Sequence, residues 1–355
     1  MALNTPINKG NYGMETKERE VEFERKRALG WEEEYKKYRD NWVLYAKEKI
    51  VSEYPLLVDI ELSSLCNLHC PMCYTITEEF KNRVKTQLMD YSLFKKMIDE
   101  IGGKVPAIRL SLRGEATLHP KFIDCIMYAK KNGIKEVSFL TNGANLDEEF
   151  FIKIANAGAD WITISVDGLY ETYETIRKPL KFADIYKKIK EIHAIKNNNG
   201  WEKPVIKVQG IWPAIKDNPE DYYHIFEPIT DYIAFNPLID YLSNDIDIIY
   251  EDNFSCPQPF QRLVVGSDGI VMLCSNDEEC RHPLGDINVQ SIYDVWHNEK
   301  IEKIRELHIK GDFFKNEVCR ACYIPRKTEC NEKAVIDDRQ IVIKNYINRT
   351  QEIGK

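Results

Sequence analysis

Cys66, Cys70 and Cys73 stand in the run Cys66-Asn67-Leu68-His69-Cys70-Pro71-Met72-Cys73-Tyr74, a CxxxCxxC directly after a strand-like segment. Three soft thiolates fall one short of the four irons of a cubane iron–sulfur cluster, so one iron is left open to a chelating substrate. A partial zinc site is the competing reading, but zinc takes four ligands and its usual signature is paired CxxC units. Further along, Cys256 and Cys274 have 17 residues between them, Gly269 among these, and Cys319 and Cys322 form a CxxC. Four thiolates close a tetrahedral site, which suits zinc and iron–sulfur alike.

The elements that must position these thiols alternate. Met14 to Ser52 is highly charged, with Trp31, Tyr35, Tyr38, Trp42 and Tyr45 at three- and four-residue steps; this reads as an amphipathic helical extension packed on the main domain. Strands are expected at Leu56–Leu62, Ala107–Leu112, Val137–Thr141, Trp161–Val166, Val205–Ile211 and Tyr232–Phe235. Helical pattern lies between them at Tyr91–Ile101, Pro120–Asn132, Leu146–Ala157, Phe182–Lys196 and Glu220–Phe226. Six strands, each with a crossover, imply a parallel sheet with helices outside. Periodicity does not separate an open doubly wound sheet from a curved partial barrel. In both, ligands sit at the carboxyl ends of the strands.

Several motifs fall at those ends. Ser111-Leu112-Arg113-Gly114-Glu115-Ala116-Thr117-Leu118-His119-Pro120 follows the second strand, Thr141-Asn142-Gly143 the third, and Ser165-Val166-Asp167-Gly168 the fourth. With the CxxxCxxC loop they resemble the radical S-adenosylmethionine (SAM) superfamily, over roughly residues 55–335. The resemblance implies a partial (β/α)6 TIM-like barrel. It implies a 4Fe–4S cluster on Cys66, Cys70 and Cys73 whose open iron binds SAM, and cleavage of SAM to methionine and a 5′-deoxyadenosyl radical that takes hydrogen from an unactivated carbon. Gly114 would let the backbone approach the SAM amino group and Glu115 would accept a hydrogen bond from it. Arg113 and Ala116 depart from the family's Gly-Gly-Glu-Pro. Asn142 and Ser165 would reach the ribose or the methionine carboxylate, with Gln209 and Arg177 as further candidates, and Tyr74 would contact the adenine. His119 reads as a turn or capping residue.

The segment from Cys256-Pro257 to Cys274-Ser275-Asn276-Asp277, with Leu284-Gly285-Asp286-Ile287 and Cys319-Arg320-Ala321-Cys322, resembles the SPASM/Twitch auxiliary-cluster module. One Cys330 after the CxxC suits the single-cluster type, which implies an auxiliary 4Fe–4S cluster on Cys256, Cys274, Cys319 and Cys322. The expected organisation is a helical extension over 1–54, the radical SAM core over 55–240, the auxiliary module over 254–335 and a tail over 336–355. Cys125, among Phe122, Ile126 and Ala129 at helical spacing, reads as a buried hydrophobe. Cys280 and Cys330 are alternative ligands, or thiols that return hydrogen to a substrate radical.

Composition narrows the partners. A net charge of −8 without a run of Lys/Arg argues against nucleic acid. No apolar stretch is long enough to span a membrane and no basic leader opens the chain, so a cytoplasmic protein is expected. The expected reaction is oxidation (dehydrogenation) or epimerisation of a small carbohydrate- or aminocyclitol-like molecule, fed by an electron donor such as flavodoxin or ferredoxin. A peptide-modifying enzyme is the alternative, because many peptide-modifying relatives share the module; they also often carry an N-terminal winged-helix domain, whereas this chain opens with a charged helical pattern. A non-catalytic zinc or iron–sulfur scaffold is the reading from another class.

Overall fold

The computed structural model describes residues 3–237, 247–348 and 353. A two-residue strand, β1 (Tyr12–Gly13), precedes six parallel strands: β2 (Leu57–Ile60), β3 (Ala107–Arg109), β4 (Glu136–Thr141), β5 (Trp161–Ser165), β6 (Val205–Ile211) and β7 (Tyr232–Asn236). They lie side by side in chain order, as successive right-handed crossovers require. β1 closes the β7 edge antiparallel. At the other edge β8 (Arg262–Val265) pairs parallel with β2 and continues antiparallel into β9 (Ile270–Met272) and β10 (Gly285–Asp286). The auxiliary module therefore extends the core sheet. The alternation of strand and helix does stop after Phe254, but the sheet does not.

The crossover helices pack their apolar faces on the outside of this sheet. The helix Tyr91–Ile101 starts at Asp90, whose carboxylate accepts from the Ser92 N–H at 2.6 Å. It buries Leu93, Phe94, Met97, Ile98 and Ile101, each worth about 1.5–3 kcal/mol of apolar transfer. The helix Tyr170–Ile176, between β5 and the long helix Phe182–Asn199, was not expected from the sequence; at seven residues it is too short to show a clear period.

The N-terminal extension forms two helices, α1 (Lys17–Ala28) and α2 (Glu32–Glu48). Trp31, Tyr35, Tyr38 and Trp42 form one buried cluster with Leu56, Leu57 and Ala107, residues at the amino ends of β2 and β3. Arg27 meets Glu136, the first residue of β4, with both hydrogen bonds at 3.0 Å. The aromatic stripe thus closes the amino-terminal end of the barrel, leaving the carboxyl ends of the strands to the cysteine loop.

The range 336–355, expected as a tail, contributes β12 (Arg339–Tyr346), which pairs antiparallel with β11 (Thr328–Ile336). Its signal is weak because both strands are rich in charged residues, as befits a two-stranded hairpin with one solvated face. Residues 238–240 of the expected core lie outside the described residues, as do 349–352 and 354–355 of the expected tail. No helix among the described residues is long and apolar enough to cross a membrane.

Candidate metal centres and the barrel cavity

The loop Cys66–Cys73 leaves β2 at its carboxyl end and is held from three sides. Gly114 lies against its root: a Cβ there would stand 2.5 Å from the Ser63 carbonyl oxygen and 2.4 Å from that of Leu65. The Glu115 N–H donates to the Leu65 carbonyl at 2.8 Å. Asn142, after β4, donates from its amide to Asn67 Oδ1 at 2.7 Å, inside the loop itself. Within the loop the Cys73 N–H closes a turn on the Cys70 carbonyl at 3.0 Å. Cys66 is exposed, Cys73 half-buried and Cys70 buried. Burial pushes the Cys70 thiol up to about 11, against the pull of the nearby Arg177 guanidinium, with Asp167, Cys73 and Cys66 adding to the rise.

Several of the residues expected at SAM also brace the fold around the loop. Glu115 is buried, and its carboxylate already accepts from Thr117 Oγ1 at 2.6 Å, Thr141 Oγ1 at 2.8 Å and the Asn142 N–H at 2.7 Å. It ties the β3 and β4 ends together, and a carboxylate has about four acceptor positions in all. Tyr74 is half-buried and packs edge-on against Phe80, ring centroids 5.7 Å apart. Arg177 donates to Asp167, Nε to Oδ2 at 2.7 Å, bracing the loop after β5. Ser165 ends β5 half-buried, its hydroxyl making no hydrogen bond to the described residues. Arg113, where the family pattern has Gly, donates from Nε to buried Glu61 at 2.6 Å and from Nη1 to the Glu278 carbonyl at 3.0 Å, joining the barrel to the auxiliary module. His119 fixes its turn by accepting from the Lys121 N–H on Nδ1, as a capping residue does.

The second thiol group is equally built. Asn276 reaches two of the four: its N–H donates to Cys274 Sγ and its amide to Cys322 Sγ, both at 3.4 Å. His308, which the sequence reading did not single out, is buried between the other two, with Nδ1 accepting from the Cys256 N–H at 3.2 Å and Nε2 lying 3.6 Å from Cys319 Sγ. Burial raises all four thiols, Cys256 to about 12, and each of Cys256, Cys274 and Cys319 is raised further by neighbours within the set. Such a group ionises together only around a cation, which is the behaviour of a metal site.

Among the described residues, which include all ten cysteines, the donor atoms that converge within 4.8 Å of one another belong to exposed Glu220, His224 and Asp337. Cys125 is fully buried in the core, as expected. Cys330 is exposed on β11 opposite Lys344. Cys280 is half-buried, and its charged neighbours are Asp277, Asp268, Arg113 and Glu61 rather than the auxiliary thiols.

A radical SAM superfamily model matches residues 60–227, and an iron–sulfur cluster-binding domain model (SPASM) matches residues 256–323. The chain belongs to the radical SAM superfamily. This radical SAM protein carries a SPASM domain, and its cofactors are a SAM-binding 4Fe–4S cluster, SAM and an auxiliary iron–sulfur cluster. It is 28% identical over 201 residues to the tungsten-containing aldehyde ferredoxin oxidoreductase cofactor-modifying protein of Pyrococcus furiosus, a match spanning 54% of each chain. It is 23% identical to the SAM-dependent 2-deoxy-scyllo-inosamine dehydrogenase of Niallia circulans over 75% of this chain and 92% of that one. The chain therefore spans about half the length of the first of these relatives and nearly all of the second. The fold is similar to that of BtrN in complex with AdoMet and 2-DOIA (TM-score 0.54, 20% identity, 77% of this chain and 94% of that chain).

A cavity of about 630 Å³ runs inside the curved sheet. Leu57, Arg109, Leu140, Thr163, Gln209 and Ala234, one from each of the six parallel strands, line it, so the sheet curls around a common interior as a partial barrel. Tyr38 and Trp42 line its amino-terminal end, and Gln258, Asn276 and Tyr323 its side against the auxiliary thiols.

Proposed function

We propose that this radical SAM protein is an oxidoreductase that dehydrogenates a polar small molecule of sugar or cyclitol type inside the barrel. Cys66, Cys70 and Cys73 would hold the SAM-binding cluster, and Cys256, Cys274, Cys319 and Cys322 the auxiliary one. When bound, the first cluster with SAM supplies hydrogen-atom abstraction and the second supplies an electron sink. Loss of one hydrogen atom, then one proton and one electron, from a CH–OH group leaves a carbonyl.

The residues of this chain position that chemistry. Gly114, Glu115 and Asn142 fix the thiol loop, while Ser165 offers a free hydroxyl at the tip of β5. The curled sheet, with the helical extension closing its amino-terminal end, limits the water around the reacting carbon. Asn276 and His308 hold the auxiliary thiols on the cavity's far side, where an electron would leave. A reduced flavodoxin or ferredoxin would supply the electron that starts each turnover.

The observation that carries this reading is the cavity itself, lined by Arg109, Lys207, Gln209, Asn236, Gln258 and Gln261 and bordered by Asn276, which binds two auxiliary thiols. Such a lining suits a hydroxyl-rich ligand. The similarity to 2-deoxy-scyllo-inosamine dehydrogenase over nearly all of that enzyme's length supports the same class. Dehydrogenation is favoured over epimerisation by that same similarity. The test is incubation of anaerobic, cluster-loaded protein with SAM, reductant and C-deuterated sugars and cyclitols. Deuterium in 5′-deoxyadenosine together with a ketone product supports the reading. Transfer from a peptide substrate alone refutes it.

A further inference from the structure

The amino-terminal floor of the cavity is lined by Arg27, Arg39, Arg109, Lys207 and Arg262 against Glu20, Glu24 and Glu136, and buried Asp59 meets Arg109 and Arg262. Lys207, third residue of β6, is 9% exposed and lines the cavity, yet its amine makes no hydrogen bond or ion pair with the described residues. It lies 5.8 Å from the ring centre of Trp161 and 5.9 Å from that of Tyr232. Burial, and then the like charges of Arg27 from α1 and Arg109 from β3, bring its pKa down to about 7. A buried amine among cations is a costly arrangement unless something else meets it.

The neighbouring guanidiniums are also short of partners. Asp59, fully buried on β2, is shared between Arg109 (Nε to Oδ1, 2.8 Å) and Arg262 (Nη1 to Oδ2, 3.2 Å). The buried Nε–H of Arg262 and the indole N–H of Trp161 have no hydrogen-bond acceptor among the described residues. Arg27, by contrast, is already matched on all three nitrogens, Nε and Nη2 by Glu136 and Nη1 by Glu24.

We propose that Lys207, Arg109 and Arg262 form an anion-recognition subsite for a carboxylate or phosphate carried by the small-molecule substrate. Hydroxyl groups would satisfy the orphaned donors but would leave the excess charge; an anion does both. Lys207 lies four residues before the end of β6, roughly 13 Å below the strand's carboxyl end. The anion therefore anchors one end of the molecule at the floor and presents the remote, hydroxyl-bearing end towards the Cys66–Cys73 loop, which selects the carbon that loses hydrogen. This rests on the reading of the cavity as the substrate site.

The test is binding to anaerobic, cluster-loaded protein, followed by calorimetry and by the fluorescence of Trp42 and Trp161, which line the cavity. The probes are glucose, glucose 6-phosphate, glucuronate and inorganic phosphate. At least one charged sugar is expected to bind tenfold or more tightly than glucose. Which one wins tells phosphate from carboxylate, and inorganic phosphate should compete with it. Lys207→Met should abolish the preference and Lys207→Arg should retain most of it, with iron content and circular dichroism reporting that each variant is folded. Equal binding of glucose and the charged sugars, no binding of any charged probe, or a preference unchanged in Lys207→Met overturns the subsite. Deuterium transfer from neutral polyols with no charge preference overturns the subsite and leaves the dehydrogenase reading standing. Tight, Lys207-dependent binding of charged polyols that never yield a ketone does the reverse.

Discussion

Replacing Lys207 by methionine should stabilise the ligand-free protein, and by an amount that depends on pH in one direction. An unfolded lysine keeps its proton to about pH 10.4, whereas burial beside Arg27 and Arg109 lets the folded one lose it near 7. Between those values the unfolded chain binds more protons, so wild-type stability rises with pH across that window. Below about pH 7 the penalty is complete, roughly 4–5 kcal/mol at about 1.4 kcal/mol for each pH unit by which the pKa is lowered. At pH 9 roughly 2 kcal/mol remains, and none above about 10.5. Methionine has similar length and no charge, so the packing change is small beside this. Anaerobic denaturant titrations in a buffer without phosphate, followed by tryptophan fluorescence, should show Lys207→Met ahead of wild type by more at pH 6 than at pH 9. A gap that is constant or that widens with pH would refute the assigned environment of Lys207.

Three other outcomes are expected. Gly114→Ala pushes a methyl group into the Ser63 and Leu65 carbonyls; overpacking of about 1–3 kcal/mol at the root of the cysteine loop should lower 5′-deoxyadenosine formation at least tenfold while auxiliary iron is kept. Cys319→Ala should take iron from about eight to about four per chain and remove the oxidised product, yet leave some SAM cleavage; unchanged product would contradict the electron-sink role. Trp31→Ala, in the buried stripe that closes the barrel, should cost about 3–5 kcal/mol, read as a lowered denaturation midpoint with the clusters intact.

Much of the architecture was legible because its physics is local. The helix Tyr91–Ile101 and the strand Val205–Ile211 begin and end where the sequence pattern places them, since apolar period and flanking turn residues act over a few positions. The cysteine spacings stand out in the chain because ligand spacing is a chain-level property. The partners that Glu115 and Asn142 hold within the fold were not legible. Which neighbours a polar side chain at a strand tip ties down depends on other parts of the chain, here Thr141 on β4 and Asn67 in the cysteine loop. His308 carried no signal, because a single histidine in an amphipathic helix resembles any other polar position. The excess of cations at the cavity floor was hidden for the same reason: Lys207, Arg109 and Arg262 sit on three separated strands.

The most direct measurement is Mössbauer spectroscopy of the Cys319→Ala protein reconstituted with 57Fe, which leaves the cluster of the Cys66–Cys73 loop as the principal iron signal. Added SAM should change the isomer shift of one iron in four, as expected for a site that three thiolates leave vacant. A spectrum identical with and without SAM would contradict the account at its base.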